Sequence, residues 1–465
     1  AGLTPGRMRS GKVEGSNRTT NDTSTNTLDR SEIEITMDDF SKLAPFMRRS
    51  GQIEIGRDRL AQVRKQLLCL LVTDDLSANS LKKMIEDFDC PIYRHFNMAD
   101  IERLFGYTGT KIVGFRRSPL STKLQGMLKP WQVRRVANGG VLLPQPRVAV
   151  LGASGIGRHH ANWWRLEGAN VCAFLGSSEA SVERTAATLR EHCGFNGRGY
   201  CSLAELLATE KPDVVDVCLP PALHYAAVKE SLLAGCHVLC EKPFVFDDTL
   251  PAEELLAQVD ELTELARVQR CMLGVCTQYV MAVKECLKLW KNGHDVADIE
   301  HFHGRLVSPT RNRPPVPEWT WVDLAPHMLG MCQVIAGGAE PDWGTLKTRF
   351  EDHLAEAEFT VFRAKTKPLR CHIHTFHTDT EPKNVRQVQL NDQLYDIGGC
   401  RDEQGVFQME IACRDGDTEK REDMLRLLIR SFLRGRTEMD PAMARQNLAW
   451  MLRIIRHGLT HQPQA

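Results

Sequence analysis

No apolar run in this chain approaches the roughly 18 residues that a membrane-crossing helix requires. The opening residues also lack the charged head and apolar core of a secretion signal. A cytoplasmic protein that stays out of the membrane is therefore expected. Net charge is absent as well: lysine plus arginine and aspartate plus glutamate number 59 each, so no overall field favours nucleic acid or an anionic lipid surface. The 15 cysteines contain no Cys-x-x-Cys pair and are widely scattered. That spacing excludes a small disulfide-dense scaffold and reads as reduced thiols, most of them serving as small buried apolar groups.

What remains is a long chain with clear punctuation. Its 465 residues exceed one ordinary core and predict two or three domains. Residues 1–38 are rich in Ser, Thr, Asn, Asp and Arg and nearly empty of large apolar side chains, the composition of a disordered tail. Residues 39–128 alternate helical and strand patterns, as a small α/β sandwich does. Lys129-Pro130, Gly139-Gly140 and Pro144-Gln145-Pro146 mark 129–146 as a linker. Residues 147–272 then read as a dinucleotide-binding domain and 273–465 as a substrate and oligomerisation domain, so the fold class is α/β throughout.

The dinucleotide reading rests on a buried strand at 147–151, a turn Gly152-Ala153-Ser154-Gly155-Ile156-Gly157, and a helix after it. Gly152 and Gly157 occupy the first and third glycine positions of the fingerprint, and Ser154 stands at the second, with Gly155 beside it. Small residues let the backbone approach a pyrophosphate, whose charge meets amides at the helix start. A second strand at 170–175 ends in Gly176-Ser177-Ser178, where NAD enzymes usually carry an acid for the ribose. Losing that carboxylate removes a repulsion against a 2′-phosphate, and Ser177, Ser178 and Arg184 offer donors or charge. NADP is accordingly the expected cofactor, with NAD as the alternative. Further helix and strand alternation predicts a parallel sheet, and Gly152, Pro220 and Lys242 all fall at carboxyl ends of its strands, where ligands of such sheets lie.

Lys242 is the most informative single residue. The strand Gly235-Cys236-His237-Val238-Leu239-Cys240 runs into Glu241-Lys242-Pro243, and the proline biases Lys242 away from helical geometry at a strand end. Far downstream, Asp323 and His327 stand four residues apart and share a face if the segment is helical.

Four groups of residues together resemble the glucose-fructose oxidoreductase, inositol dehydrogenase and MocA family (Gfo/Idh/MocA). They are the glycine turn with Arg158-His159-His160-Ala161, the turn Pro220-Pro221-Ala222-Leu223-His224, the stretch Ala234-Gly235-Cys236-His237-Val238-Leu239-Cys240-Glu241-Lys242-Pro243, and Trp321-Val322-Asp323-Leu324-Ala325-Pro326-His327. The resemblance spans about residues 147–458. It implies a nicotinamide fold followed by an α/β domain with a large, mostly antiparallel open sheet, which family members use to form homo-oligomers. It further implies a catalytic set of Lys242, Asp323 and His327, and cofactor contacts that include Pro220, His224, Glu241 and Lys242 beside the glycine turn. The expected activity is hydride transfer between a nicotinamide and a hydroxyl or carbonyl carbon of a sugar, cyclitol or related small molecule. Two positions depart from the pattern: Gly330 replaces a frequent acid, and Thr277-Gln278-Tyr279 replaces an arginine-containing turn.

A second resemblance covers about ninety residues. Arg48-Arg49-Ser50-Gly51-Gln52-Ile53-Glu54-Ile55-Gly56, Leu71-Val72-Thr73-Asp74-Asp75 and Ile112-Val113-Gly114-Phe115 look like the bacterial branch of the ribosomal kink-turn-binding superfamily. That likeness implies RNA binding through residues 39–128, but Gly56-Arg57-Asp58-Arg59 stands where strict RNA readers have Gly-x-Asn-Glu. A docking module is the favoured reading and RNA the less favoured one. An RNA- or protein-binding scaffold with a silent nucleotide domain, or glycoside cleavage through transient oxidation, are the rival functions of the whole chain.

The last domain is expected to hold strands near 299–307, 358–363, 369–376, 385–390 and 406–413. His301 and His303 alternate on one of them, and His372 and His374 share a face while His377 points the other way. Such imidazoles can ligate zinc, yet partly exposed polar positions are the favoured reading and no metal site is assigned. Pro314-Pro315-Val316-Pro317 predicts a rigid loop over the pocket, with Trp319 and Trp321 either stacking on a sugar or sealing the domain junction.

Overall fold

The computed structural model describes residues 37–290, 295–364, 366–413 and 416–460. Residues 1–36, most of the expected tail, lie outside the described residues. Met37 and Asp38, assigned to that tail, instead open the helix Met37–Arg49, whose first turn gathers Asp38 and Asp39 where the helix dipole favours acids.

Three sheets organise the α/β chain. The first is a mixed four-stranded sheet ordered Ile53–Ile55, Ile112–Arg116, Leu67–Val72, Ile92–Arg94. Its two faces feed separate cores, one around Phe40, Met47, Leu71 and Phe115 and the other around Leu60, Leu70, Val72 and Met84. Helices therefore cover both faces, because alternate apolar residues leave the strand in opposite directions. At the start of the helix Arg57–Val63 the side chain of Arg59 is engaged, with Nε 3.0 Å from Glu54 Oε2.

Residues 129–146 form a docked hairpin rather than a free connector. Arg134–Arg135 pairs with Val141–Leu142, Asn138 Nδ2 donates to Cys271 O at 3.0 Å, and His237 Nε2 lies 3.0 Å from Val141 O. Gly140 is required there, since a Cβ would fall 1.8 Å from Arg270 O.

The second sheet has six parallel strands ordered Leu273–Cys276, His237–Glu241, Val214–Val217, Arg147–Leu151, Asn170–Leu175, Arg198–Tyr200. The order in which the chain adds strands reverses between Arg147–Leu151 and Val214–Val217, which creates a crevice at their carboxyl ends. The domain boundary expected at residue 272 falls one strand early: Leu273–Cys276 pairs in parallel with His237–Glu241. A short apolar run carries no mark of which sheet it joins.

The third sheet has eight strands, ordered Pro341–Glu351, Leu354–Val361, Leu369–His377, His301–Ser308, Val385–Leu390, Gln393–Arg401, Phe407–Cys413, Thr418–Glu422. Only the pair His301–Ser308 and Leu369–His377 is parallel. Five of these strands were anticipated. Pro341–Glu351, Gln393–Arg401 and Thr418–Glu422 were not; the first and last are the two edge strands, and Gln393–Arg401 is broken by Gly398-Gly399. The helices Pro317–Ala336 and Pro441–Thr460 are joined into one core with the sheet, and this core continues through Val280 and Val238 into the parallel sheet. The two sheets thus share an apolar interior, which fixes the crevice between them.

A polar clamp reinforces this arrangement. Glu167, at the end of the helix Gly157–Leu166, accepts from Arg426 Nε at 2.5 Å and from Arg430 Nε and Nη2 at 2.7 and 2.8 Å. Both arginines belong to the helix Met424–Leu433. Glu167→Ala leaves two half-buried guanidinium groups short of their shared carboxylate and is expected to lower the unfolding free energy by about 3 kcal/mol. Urea denaturation followed by tryptophan fluorescence measures this; a loss below about 0.5 kcal/mol would make the clamp a surface ornament.

Candidate active site

The phosphate-binding turn has the backbone its glycines require. Gly152 adopts φ +84°, and a Cβ there would sit 2.6 Å from Cys218 O. A Cβ on Gly157 would meet Gly152 O at 2.5 Å. Ser154, Gly155 and Ile156 are exposed on the crevice side of this turn, leaving an open cradle that suits a dinucleotide pyrophosphate. Gly176, Ser177 and Ser178 follow the neighbouring strand; Ser178 caps the helix Glu179–Cys193, accepting from Ser181 N at 3.3 Å. Pro220 lies in the next strand-end turn. His224 is buried there, with Nε2 2.7 Å from Leu219 O and Nδ1 3.0 Å from Pro243 O, so its ring staples two turns of the crevice together.

Lys242 reaches out of the parallel sheet and meets the helix Pro317–Ala336. Its Nζ donates to Asp323 O at 2.6 Å and Asp323 Oδ1 at 3.1 Å. The other carboxylate oxygen, Oδ2, is 3.0 Å from Arg313 Nη1 and 3.2 Å from His377 Nε2. Burial alone would raise the pKa of Asp323, but Lys242, the His377 hydrogen bond and Arg313 hold it well below the ordinary carboxylate range. The three residues named from sequence therefore gather within one small space. Lys242 and Asp323 touch, and His327 stands one turn along the same helix with its ring 4.9 Å from that of Tyr279.

His327 is nearly buried, and Nδ1 has no hydrogen-bond partner among the described residues. Burial, followed by the charge of Lys242, pushes its pKa down to about 3. The imidazole is consequently neutral at physiological pH and has a lone pair available for a proton.

Behind Lys242 lies a second buried charge system that sequence reasoning did not identify. His160 is fully buried with Nδ1 2.8 Å from Asp216 Oδ2 and Nε2 3.1 Å from Glu241 Oε1. Trp164 Nε1 donates to the same Asp216 oxygen at 2.5 Å. Burial opposes a charged ring, yet Asp216 raises the pKa of His160 well above its usual value. Glu241 feels the reverse balance: burial would raise it, and His160 with Lys242 and His327 brings it down to about 2. Its Oε2 in turn accepts from Lys242 N at 3.1 Å, fixing the backbone that presents the lysine. Cys218 and Cys276 lie close enough to His160 to suggest metal ligation. Both ring nitrogens of His160 already face carboxylates.

Arg313, His377 and Thr320, whose Oγ1 is 3.2 Å from His377 Nδ1, were also missing from the sequence reading of the site. The opposite facing of His377 relative to His372 and His374 was the available signal: an inward histidine on this strand must meet the helix that carries Asp323. Trp321 is fully buried against Phe350 and Trp319 is exposed, so Trp321 seals the core and does not stack on a ligand.

With this geometry in hand, comparison with known proteins is informative. Residues 146–277 match the family described as "Oxidoreductase family, NAD-binding Rossmann fold". The matched segment coincides with the parallel-sheet domain. An uncharacterized oxidoreductase of Schizosaccharomyces pombe is 34% identical over 150 residues, 30% of this chain and 38% of that protein. D-glucoside 3-dehydrogenase of Escherichia coli is 35% identical over 103 residues, 21% of this chain and 27% of the enzyme. UDP-N-acetylglucosamine 3-dehydrogenase of Acidithiobacillus ferrooxidans is 31% identical over 115 residues, 25% of this chain and 34% of that enzyme. The chain thus aligns with well under half the length of these curated relatives. The solved structure of the last enzyme superposes with a TM-score of 0.51 at 20% identity, covering 68% of this chain and 97% of that one. That likeness is one of fold, and it covers more of the chain than the parallel-sheet domain alone.

The neutrality of His327 can be observed without any substrate. Its ring Hε1 resonance, assigned by loss in His327→Gln, is expected to keep the neutral-imidazole shift as pH falls from 7 to 5 while exposed histidines titrate. In the unfolded chain the same ring takes up a proton near pH 6.5. Its depressed folded value therefore reduces stability as pH falls from that value towards about 3. A midpoint near 6.5 in the folded protein would contradict the buried environment.

Proposed function

We propose that the chain is an NADP(H)-dependent oxidoreductase acting on a hydroxyl or carbonyl carbon of a sugar, cyclitol or related small molecule. The observation that carries this reading is the convergence of Lys242, Asp323 and a neutral His327 at the carboxyl ends of the parallel strands, beside the glycine cradle. The dehydrogenases of D-glucosides and UDP-N-acetylglucosamine among its relatives support the sugar class.

A nicotinamide bound in the crevice would supply the hydride acceptor or donor. The chain's own residues supply the rest. Neutral His327 takes the proton of the substrate hydroxyl on oxidation and returns it on reduction. Lys242 places a cation where the oxygen becomes alkoxide-like and stabilises it. Asp323 aims Lys242, while His377 and Arg313 fix Asp323, so the cation has one favoured position. Gly152 and Gly157 leave room for the pyrophosphate. Ser177 and Ser178, standing where a ribose-binding acid would repel a 2′-phosphate, favour NADP over NAD.

Fluorescence titration of the reduced cofactors is expected to show tighter binding of NADPH than of NADH. Equal or stronger NADH binding reverses the cofactor assignment, and binding of neither removes the oxidoreductase reading.

Steady-state kinetics with a sugar or cyclitol that is turned over should show His327→Ala and Lys242→Ala each lowering kcat by roughly 100- to 10,000-fold. Cofactor affinity should survive in His327→Ala, because the pyrophosphate is held at the glycine turn. Wild-type turnover in His327→Ala would make that histidine structural.

A further inference from the structure

A second cleft, remote from the redox site, lies where the N-terminal sheet hands over to the rest of the chain. It encloses about 790 Å³ and stands at the far end of the helix Gly157–Leu166 from the glycine turn, about 15 Å along the helix axis. The docked hairpin forms one wall, and the exit of the helix Met424–Leu433 forms another. These two walls meet closely. Gly435 adopts φ +77°, and a Cβ there would stand 3.2 Å from Val136 Cγ1 and 3.3 Å from Arg135 O. Arg434, one residue earlier, is thereby brought to the same opening as Arg134 of the hairpin.

The charges lining this cleft do not balance. Both of its glutamates are committed: Arg430 donates to Glu422 through Nη1 at 2.5 Å and Nη2 at 2.6 Å, and it shares Glu167 with Arg426. Lys129, Arg134 and Arg434 line the same space without a carboxylate partner among the described residues. Arg134 is half-buried, and its Nη1 donates to the neutral Gln132 Oε1 at 2.9 Å. Burial lowers the pKa of Arg134, and the charge of Arg434 adds to this against an opposing pull from Tyr93. A guanidinium does not give up its proton under such pressure, so Arg134 stays a cation poorly compensated by its surroundings. An anion entering the cleft removes that imbalance.

We propose that this cleft binds a small phosphate-bearing anion, a pyrophosphate or phosphate ester with two or more negative charges, held by Arg134, Arg434 and Lys129. Guanidinium forks match phosphate oxygens in bidentate fashion, and the lysine adds a third, movable charge. Three unpaired cations exceed what a single carboxylate neutralises, which selects the multiply charged class. Leu143, Pro144 and Leu433 give the cleft an apolar wall against which the organic part of an ester lies. Glu167 and Glu422 do not repel such a ligand strongly, because guanidinium groups already cover both carboxylates. The chain as a whole is neutral, with 59 residues of each sign, so the attraction is local to this cleft. An occupant bridges the hairpin to the helix Met424–Leu433, and its binding stabilises the folded chain.

The test is isothermal titration calorimetry of the full chain at low salt with inorganic pyrophosphate and, separately, with ribose 5-phosphate. One equivalent of binding is expected; tighter binding of pyrophosphate assigns the site to a diphosphate group, and tighter binding of ribose 5-phosphate assigns it to a monoester. Arg134→Gln and Arg434→Gln should each weaken binding about tenfold, since each removes a charge-assisted contact. Lys347→Gln, which removes a cation from the distant edge strand Pro341–Glu351, should leave it unchanged. Arg434 is exposed, so Arg434→Gln carries the comparison alone should Arg134→Gln fail to fold. No binding of either probe up to about 10 mM overturns the proposal. Wild-type affinity in the arginine variants also overturns it, because the anion then sits elsewhere, as does tighter binding of citrate than of either phosphate. None of these outcomes depends on the redox reading, which is tested by cofactor titration.

Discussion

The Lys242 to Asp323 contact is the interaction around which the crevice is built. Its partners come from different sheets: the lysine follows a parallel strand, and the aspartate sits on a helix packed against the eight-stranded sheet. Side chains this poorly hydrated cannot keep their charges unless each has a partner. Asp323 spends one oxygen on Lys242 and the other on Arg313 and His377, which places three further residues by reference to one carboxylate. The shared apolar core brings the sheets together; this ion pair decides the register in which they meet.

A similar economy governs the far side of Lys242. Asp216, His160 and Glu241 alternate in sign, and the chain of hydrogen bonds ends on the backbone amide of the lysine. The cation is thus fixed at both ends, by its main chain and by its ammonium group. His327 then experiences a cation held close by in a buried setting, and both effects favour its neutral form. The ring therefore keeps an unprotonated nitrogen. The electrostatics of the cleft follow from how the lysine is held.

How much of this was readable in the sequence depended on whether a residue's role is local. The glycine turn is local: φ and close approach are dictated at Gly152 and Gly157, and both stand where the fingerprint puts them. Lys242, Asp323 and His327 came from short motifs that resemble a known family, although nothing in those motifs shows that the first two touch. His377, Arg313 and His160 are different. Their partners lie 54, 10 and 56 residues away, in Asp323, Asp323 and Asp216, and only the packing of a sheet on a helix or of a helix on a strand brings them together. The same holds for Glu356, which joins His374 through strand register, and for the docked hairpin at 129–146, whose Pro and Gly residues signal turns but say nothing about what they pack on.

Gly330 shows how a departure from a family pattern acquires a physical reason. The position follows His327 by three residues, one turn along the same helix, where the resemblance leads one to expect an acid that would face the same cleft. Here a Cβ would stand 3.1 Å from Met439 Cε and Thr277 Cγ2 and 3.2 Å from Val280 Cγ2, so even alanine crowds its neighbours. Thr277 belongs to the second divergent stretch, Thr277-Gln278-Tyr279, and its hydroxyl donates to Met439 Sδ at 2.8 Å. The two departures are therefore one change. At this point the chain closes the space beside His327 with Thr277, Met439 and the Tyr279 ring. Such a wall removes hydration from the imidazole, and the charged groups of the cleft gather instead where Lys242, Asp323 and Arg313 meet.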